Sequence, residues 1–452
     1  MSEDVTLDEF ADSEEFEETD TGKPTQEIEK KPVREMFGIG RIPRKWSIQS
    51  LADSAKIIAG NSPPSSTYNE KKTGLPFFQG NAEFGHFHPE PDTWCSEPRK
   101  VAEPDDILIS IRAPVGDLNI ADQRCCIGRG LAALRPDDTN RLYLYYHLTE
   151  RKNWLSRLAT GSTFNSVTKG DLQNLDIPLP PLSEQRKIAT VLHTVDQAIQ
   201  KTGEIIERTK RLEQGLMQDL FRRGVEQSET KELRRVGEVP QHWEVVTLGN
   251  VCTEITDGTH KSPSTIDDGY PYVTSQNIRD WGFDLSDLKY IAKEDHERIT
   301  SRCNPEANDV LYVKDGANTG NVNVNTLDFD FSLLSSVALI KPDRNRLKPW
   351  FLKYLLSWSK FRQLVLSQMS GTGISRLTIS KLEKTDILLP PIEEQERIVE
   401  ILDTYYEHHK NQREYRDQLK SLKQGLMQEL LSGKVRTTDV DIDIPEEVAK
   451  YD

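Results

Sequence analysis

The sequence predicts an α+β protein: two tandem globular domains, each followed by a long helix, with the two helices pairing as an antiparallel coiled coil. Three observations carry this expectation. Residues 161–220 align without a gap to residues 371–430, and 22 of the 60 positions are identical. Each copy holds a proline-free stretch of about 40 residues with apolar positions at three- and four-residue steps, the spacing of an amphipathic helix. Ahead of each stretch stand short apolar runs bounded by Gly, Pro and Asp, the pattern of buried strands and turns. A repeat offset of 210 residues is far too long for a solenoid and marks the duplication of a whole two-part unit.

Residues 1–35 carry 13 acids and 4 bases and read as an acidic, disordered tail. The first globular domain is placed at 36–182. It opens on Gly40-Arg-Ile-Pro43-x-x-Trp46, which returns as Gly237-Glu-Val-Pro240-x-x-Trp243. Within it, Gly74-Leu-Pro-Phe-Phe78 is a turn feeding a strand, and Asp106–Ile111 is a second strand running into the turn-rich Arg112–Gly116. An amphipathic helix is expected near Leu142–Leu158. The long helix at 183–224 begins after Pro180-Pro181, where proline is tolerated, with Ser183 as its N-cap. Its stripe is Ile188, Leu192, Val195, Ile199, Ile205/Ile206, Leu212, Leu216 and Leu220. A polar linker at 225–239 leads to the second domain at 240–392. There Gly269–Val273 and Asp309–Val313 repeat the strands, Lys314–Gly320 repeats the loop, and a helix is expected near Trp350–Gln368. The second long helix, 393–433, carries Ile398, Leu402, Tyr405, Leu419, Leu422, Leu426 and Leu430. Residues 434–452 read as an acidic C-terminal tail.

The charge needs placing before it is interpreted. The whole chain has 58 Lys and Arg against 73 Asp and Glu, a net of −15. Residues 1–35 contribute −9 and residues 439–452 contribute −5, so the body holds only −1. A near-neutral body can present basic faces, and the acidic total does not exclude DNA as a partner. No run approaches the ~20 apolar residues of a membrane span, and no cationic, apolar leader opens the chain, so a cytoplasmic protein without a membrane partner is expected. The five cysteines include no CxxC pair, which argues against a disulfide framework and a structural zinc site.

Motifs of catalysis are missing. There is no GxxxxGK[ST], and Gly371-Thr-Gly373 sits in a pre-helix loop rather than after a strand. Pro91-Asp92…Glu97-x-x-Lys100 has a final spacing one residue too long for a nuclease set. Asn61-Ser-Pro-Pro64 has an extra Ser and no aromatic where an adenine methyltransferase motif would need one. His86, His88 and Cys95 have no second cluster to complete a metal site. No metal and no catalytic residue is expected on this chain.

Gly161-Ser-Thr-Phe-Asn-Ser-Val167, Asp171-Leu172 and Leu179-Pro-Pro-x-x-Glu184-Gln185 together resemble the end of a target-recognition domain in the specificity subunits of type I restriction–modification systems. Gly371-Thr-Gly-Ile-Ser375, Leu382 and Leu389-Pro-Pro-x-x-Glu394-Gln395 repeat the likeness. The helix endings Gln214-Gly-Leu-Met-Gln218 and Gln424-Gly-Leu-Met-Gln428 are similar to that family's conserved region. The resemblance covers about residues 36–438; the acidic tails and Phe221-Arg-Arg-Gly224 depart from it. It implies two target-recognition domains that each read one half of a split, asymmetric site in double-stranded DNA, spaced by the helices. It also implies partners that hold the chemistry: two methyltransferase subunits using S-adenosylmethionine, and a restriction/translocase subunit using ATP and magnesium. No cofactor is then bound by this chain.

Base reading favours Arg or Lys toward guanine and Asn or Gln toward adenine. The candidates in the first domain are Lys71, Lys72, Gln79, Asn81, Arg112, Arg124 and Arg129. Those in the second are Lys261, Gln276, Asn277, Arg279, Arg302 and Lys314. The loops after the paired buried strands are expected to face DNA, with Arg112 and Lys314 as equivalent members; the competing reading is a solvated cation capping each strand. The competing class of function is a duplicated coiled-coil scaffold that organises proteins without nucleic acid; salt-dependent duplex binding separates the two.

Overall fold

The computed structural model describes residues 42–160, 166–316, 318–369 and 377–449. The acidic opening, Gly40 and Arg41 of the first opening motif, Gly161–Asn165 and Gly371–Ser375 lie outside the described residues.

Helix and strand are mixed, and the two units repeat one another's main strand pairings. In the first, Ala55–Ala59, Leu131–Pro136, Ile107–Ser110 and Leu118–Ile120 lie side by side in that order, all antiparallel. In the second, Cys252–Asp257, Val337–Pro342, Val310–Val313 and Val322–Val324 repeat both order and direction. Ile107–Ser110 and Val310–Val313 are buried at every residue, as continuous apolar runs of that length require. A second sheet sets Leu75–Phe78 parallel to Cys125–Ile127, and Tyr270–Val273 parallel to Ser332–Leu333. A third pairing joins Ser47–Ser50 to Asp176–Leu179, and Glu244–Thr247 to Asp386–Leu389. The strand after each opening motif thus meets the strand before each diproline.

Each expected amphipathic helix is two helices. Arg141–Glu150 is followed by Lys152–Thr160, and Pro349–Ser357 by Ser359–Leu366. At Trp358 the backbone turns extended (ψ 126°), and the indole is buried in a stack on Phe221 with ring centroids 5.3 Å apart. Tertiary packing breaks a pattern that is helical by spacing.

The long helices run Leu182–Arg223 and Ile392–Leu431, 42 and 40 residues, or ~60 Å at 1.5 Å per residue. Ser183 does not cap the first. Its N-cap is Pro181, whose carbonyl accepts from the N–H groups of Glu184 and Gln185. Contacts between the two helices run in opposite chain directions: Lys423 meets Asp196 at 2.5 Å, and His409 lies 3.1 Å from Glu213. The expected stripe holds in part: Ile188, Leu192, Leu220, Ile398, Leu402 and Leu430 are buried as the spacing predicts. Ile206, Met217, Leu419 and Met427 are buried, whereas Ile205, Leu212, Tyr415 and Leu422 are exposed.

Two large cores result, and each uses both helices. The first joins Trp46, Leu51, Ile107 and Tyr143 to Ile188 and Leu192 of the first long helix and to Met427, Leu430 and Leu431 of the second. The other joins Trp243, Tyr312 and Phe351 to Met217, Leu220 and Phe221 of the first and to Ile398, Leu402 and Tyr406 of the second. Each core holds the start of its own long helix and the end of the other.

The segments after the helices depart from expectation. The linker contains a hairpin, Thr230–Leu233 against Gly237–Pro240. Residues 434–449, expected to be solvated, pack on the first unit: Val448 is buried in its core, with Ile444 against it. Lys187 donates to the carbonyls of Thr437 (3.3 Å) and Val440 (2.5 Å). The acid count concealed these apolar anchors. The first helix caps on Gly224 and the second on Ser432 followed by Gly433, both glycines at φ +70°, a conformation open to a residue without a Cβ.

Candidate nucleic-acid interface

The strand-end loops of the first domain gather at one end of it. Ser62 Oγ accepts from Gln79 Nε2 at 3.2 Å and from the backbone N–H of Arg129 at 3.1 Å. Gly130 N–H reaches the Gln79 carbonyl at 3.0 Å, and Ile111 N–H reaches the Gly130 carbonyl at 2.9 Å. Gln79, Arg112 and Arg129 therefore sit on adjoining loops, and all three are exposed. Asn81, on the same face, is half-buried and donates to Asp117 at 2.6 Å; Asp117 is also paired with Lys152. Lys71 and Lys72 are exposed on a separate turn built by Asn69, whose Oδ1 accepts from the N–H groups of Lys71 (3.1 Å) and Thr73 (3.0 Å). The Lys72 ammonium lies 5.5 Å from the Trp94 ring. Arg124 stands at the opposite end of strand Cys125–Ile127 from Arg129 and pairs with Glu103 at 3.3 Å. It is not brought together with the others.

The second domain has a different hub. Asp257, at the end of Cys252–Asp257, is buried and meets Lys314 Nζ (3.3 Å), His260 Nε2 (3.3 Å) and Arg302 (3.6 Å). Lys314 is itself only 6% exposed and held on Asp257, so it is not the exposed loop cation expected of an equivalent of Arg112. Its equivalence to Arg112 also shifts by one residue. Ile111 donates to Gly130 and accepts from Val167; Lys314 donates to Ser336 and accepts from Leu377. The backbone partner of Lys314 in the first domain is thus Ile111, and that of Arg112 is Asp315. By the same register Asp257 takes the place of Ala59. The ion pair is built where the first domain has only apolar side chains.

The remaining candidates divide in two. Gln276 and Lys261 are exposed. Asn277 is buried and holds its own turn: Oδ1 accepts from Thr274 N–H at 2.9 Å, and Nδ2 donates to the Asp284 carbonyl at 3.0 Å. Arg279 is half-buried and pairs with Asp284 at 3.3 Å. Arg302 is exposed but fastened to the Asp257 carbonyl at 3.0 Å. Sequence reading missed Ser62 and Asp257, the residues that organise the loops. It also missed Asn318, whose amide ties its loop to the Ser275 carbonyl at 3.0 Å.

Among the described residues no three His, Cys, Asp or Glu side chains converge to hold a metal. Cys95 is buried beside the Thr67 hydroxyl, and His88 Nδ1 lies 2.8 Å from the Ile120 carbonyl oxygen. No described helix is long and apolar enough to cross a membrane.

Residues 43–211 and 240–421 each match the type I restriction modification DNA specificity domain. The chain belongs to that family. Its two matched stretches coincide with the two structural repeats, so the duplication seen in the sheets is a duplication of this domain. The type I restriction enzyme MjaVIII specificity subunit of Methanocaldococcus jannaschii is 23% identical over 90% of this chain and 97% of its own length. The sequence assigned as the MjaX specificity subunit of the same organism is 44% identical over 180 residues, which is 38% of this chain and 42% of that protein. The crystal structure of the type I restriction–modification S subunit from M. genitalium shares the fold, with a TM-score of 0.58 at 16% identity, over 86% of this chain and 96% of that one. Family membership makes DNA-sequence recognition the role of the exposed loops' parent domains.

Proposed function

We propose that this chain is the non-catalytic specificity subunit of a type I restriction–modification complex, reading a bipartite, asymmetric site in double-stranded DNA with one domain per half-site. The supporting observation is the pair of strand-end loop clusters: one sheet order carries two different sets of exposed polar residues. Where the first domain presents Arg129, the register of the second presents Ser335. Like scaffolds with unlike loops suit two unlike half-sites. The helices act as an antiparallel coiled-coil spacer, and readers held about one DNA turn (~34 Å) apart make half-site spacing a property of the protein.

The exposed apolar residues point to the partners. Ile205 and Leu212 occupy the same repeat positions as Tyr415 and Leu422, and they are 44%, 58%, 50% and 51% exposed. Two equivalent apolar patches suit two copies of one partner, the methyltransferase subunit. S-adenosylmethionine, and the ATP and magnesium of a restriction/translocase subunit, belong to those partners.

The test is duplex binding by the assembled complex across a salt series, with the host's methylated sites mapped by sequencing. Affinity should fall steeply with salt. Replacing residues 41–178 with the corresponding domain of another family member should change one half-site alone. Binding that ignores salt and sequence would leave a protein-organising scaffold as the reading, and a simultaneous change of both half-sites would overturn the division of labour.

A further inference from the structure

A cavity of about 310 Å³ opens where the second domain meets both long helices. Lys210, Glu213 and Met217 of the first helix line one side, and Tyr406, His409 and Arg413 of the second line another. The hairpin Arg279–Trp281 and the short helices bearing Lys353 and Arg362 close it. Its two acids are each engaged through one oxygen, while Asp280 Oδ1 is buried without a partner among the described residues. Asp280 pairs with Arg362 at 3.1 Å, and Glu213 lies 3.1 Å from His409. Arg279 has its own partner in Asp284. Among the described residues this leaves three cations, Lys210, Lys353 and Arg413, without a carboxylate at ion-pair distance.

Lys353 is the telling one. It is 2% exposed, and among the described residues its charged neighbours Glu213, Asp280 and Asp403 act on it from beyond ion-pair distance. The ammonium sits 4.0 Å from the Tyr354 ring and 4.3 Å from that of Tyr406, with Trp350 at 5.6 Å. Aromatic faces steady a cation but do not neutralise it. Arg413, 5.1 Å from the Trp281 ring, likewise has a buried Nε without an acceptor. A buried charge normally has a counter-charge in direct contact, and these two cations have theirs only at a distance.

We propose that this junction cavity binds a phosphate group, with Lys353 and Arg413 as its principal ligands and Lys210 at the mouth. A tetrahedral dianion supplies acceptors to a lysine point charge and an arginine fork at once. Burial holds Lys353 down at about 8 even though Glu213, Asp280 and Asp403 raise it, and an anion in the cavity would favour its charged form. The phosphate comes either from the backbone of bound duplex or from a free nucleotide or pyrophosphate. Because the ligands span both long helices and the second domain, an occupied site would also hold that domain against its spacer.

The full chain should be titrated with inorganic phosphate and pyrophosphate by calorimetry, beside Lys353→Met, Arg413→Gln and, as a control outside the cavity, Lys201→Gln. Met fills the aromatic cage without charge, so Lys353→Met should melt at or above the wild-type temperature. It should bind roughly tenfold or more weakly, the scale of one lost charge-assisted hydrogen bond. Should that variant misfold, the half-buried Arg413→Gln decides by the same loss. If the phosphate is DNA's, both variants also lose duplex affinity, and the slope of log affinity against log salt flattens by about one for each. If it is a free ligand, pyrophosphate saturates the wild type while duplex affinity stays unchanged in both variants. Equal anion binding by the wild type and both variants overturns the proposal. So does no anion binding together with an unaltered duplex slope.

Discussion

Glu184 and Glu394, the acids of the two Pro-Pro-x-x-Glu-Gln motifs, are structural fasteners. Glu184 accepts from the Trp46 indole at 3.2 Å and takes both arms of Arg436 at 2.7 and 2.8 Å. Glu394 accepts from the Trp243 indole at 3.0 Å, and His242 lies 2.7 Å away. The glutamines beside them finish the job: Gln185 accepts from Asn140 N–H at 3.0 Å, and Gln395 from Lys348 N–H at 2.9 Å. Burial pushes the Glu184 carboxyl up, but the hydrogen bonds and charge of Arg436, with the indole, hold it below its ordinary value of 4.5. A depressed folded value means stability that is complete above about pH 4.5 and lost as pH falls through the folded value. Glu184→Gln should therefore cost ~1–3 kcal/mol in urea unfolding at pH 7, with the gap to wild type narrowing in acid. Equal stability at pH 7 would refute this role. Arg112 and Lys314 should also part company. Arg112→Ala should stay within about 0.5 kcal/mol of wild type in stability and relax one base position, or lose one phosphate contact, in duplex binding. Lys314→Ala should destabilise by up to ~3–5 kcal/mol, the scale for breaking a buried pair, less whatever Arg302 recovers by staying on Asp257. Thermal melts of both variants would check the contrast.

At the scale of elements, the spacing of apolar residues gave the buried face at the helix ends and part of the middle, and missed at Ile205, Leu212 and Leu422. Of the stripe pair Ile205/Ile206 only Ile206 is buried, Leu212 is exposed, and Met217, outside the stripe, is buried instead. A period reports that one side is apolar; it does not say how many partners share the helix. Here the ends of each helix serve the globular cores, and the middle is seamed by polar pairs such as Asp196–Lys423. The same arrangement governs spacer engineering. A heptad inserted after Glu204 alone should pull one core apart, because that core needs the far end of the second helix, Met427 and Leu430, beside Ile188. A matching heptad after Glu414 should restore the melting temperature and lengthen the DNA spacer without altering either half-site. Full stability of the single insertion would contradict the shared cores.

At the scale of the molecule, the chain closes on itself. The segment after the second long helix covers the first domain much as the linker covers the second: Arg436 reaches Glu184, and Val225 N–H reaches Glu394 at 3.3 Å. Removing residues 435–452 should uncover the site of Val448 and leave Glu184 buried without its cation. The first domain should then unfold earlier in denaturant, followed by the exposure of Trp46, while the core around Trp243 holds. An unchanged transition would make this segment a mere tail.

The sequence by itself determined the duplication, the α+β order of each unit, the two long helices and most of the exposed loop candidates. Those features rest on repeats, periodicity and turn chemistry within a few residues of each other. Gln79 and Arg129 were legible because strands and their turns have local signatures. Only the tertiary structure decided that Asp257 would bury Lys314, that Asn277 would spend its amide on its own turn, and that an acidic C-terminal stretch would complete a core. These pairings join residues tens to hundreds of positions apart, or depend on which neighbour desolvates a charge. Charge counts and spacing carry no record of that neighbour; packing creates it.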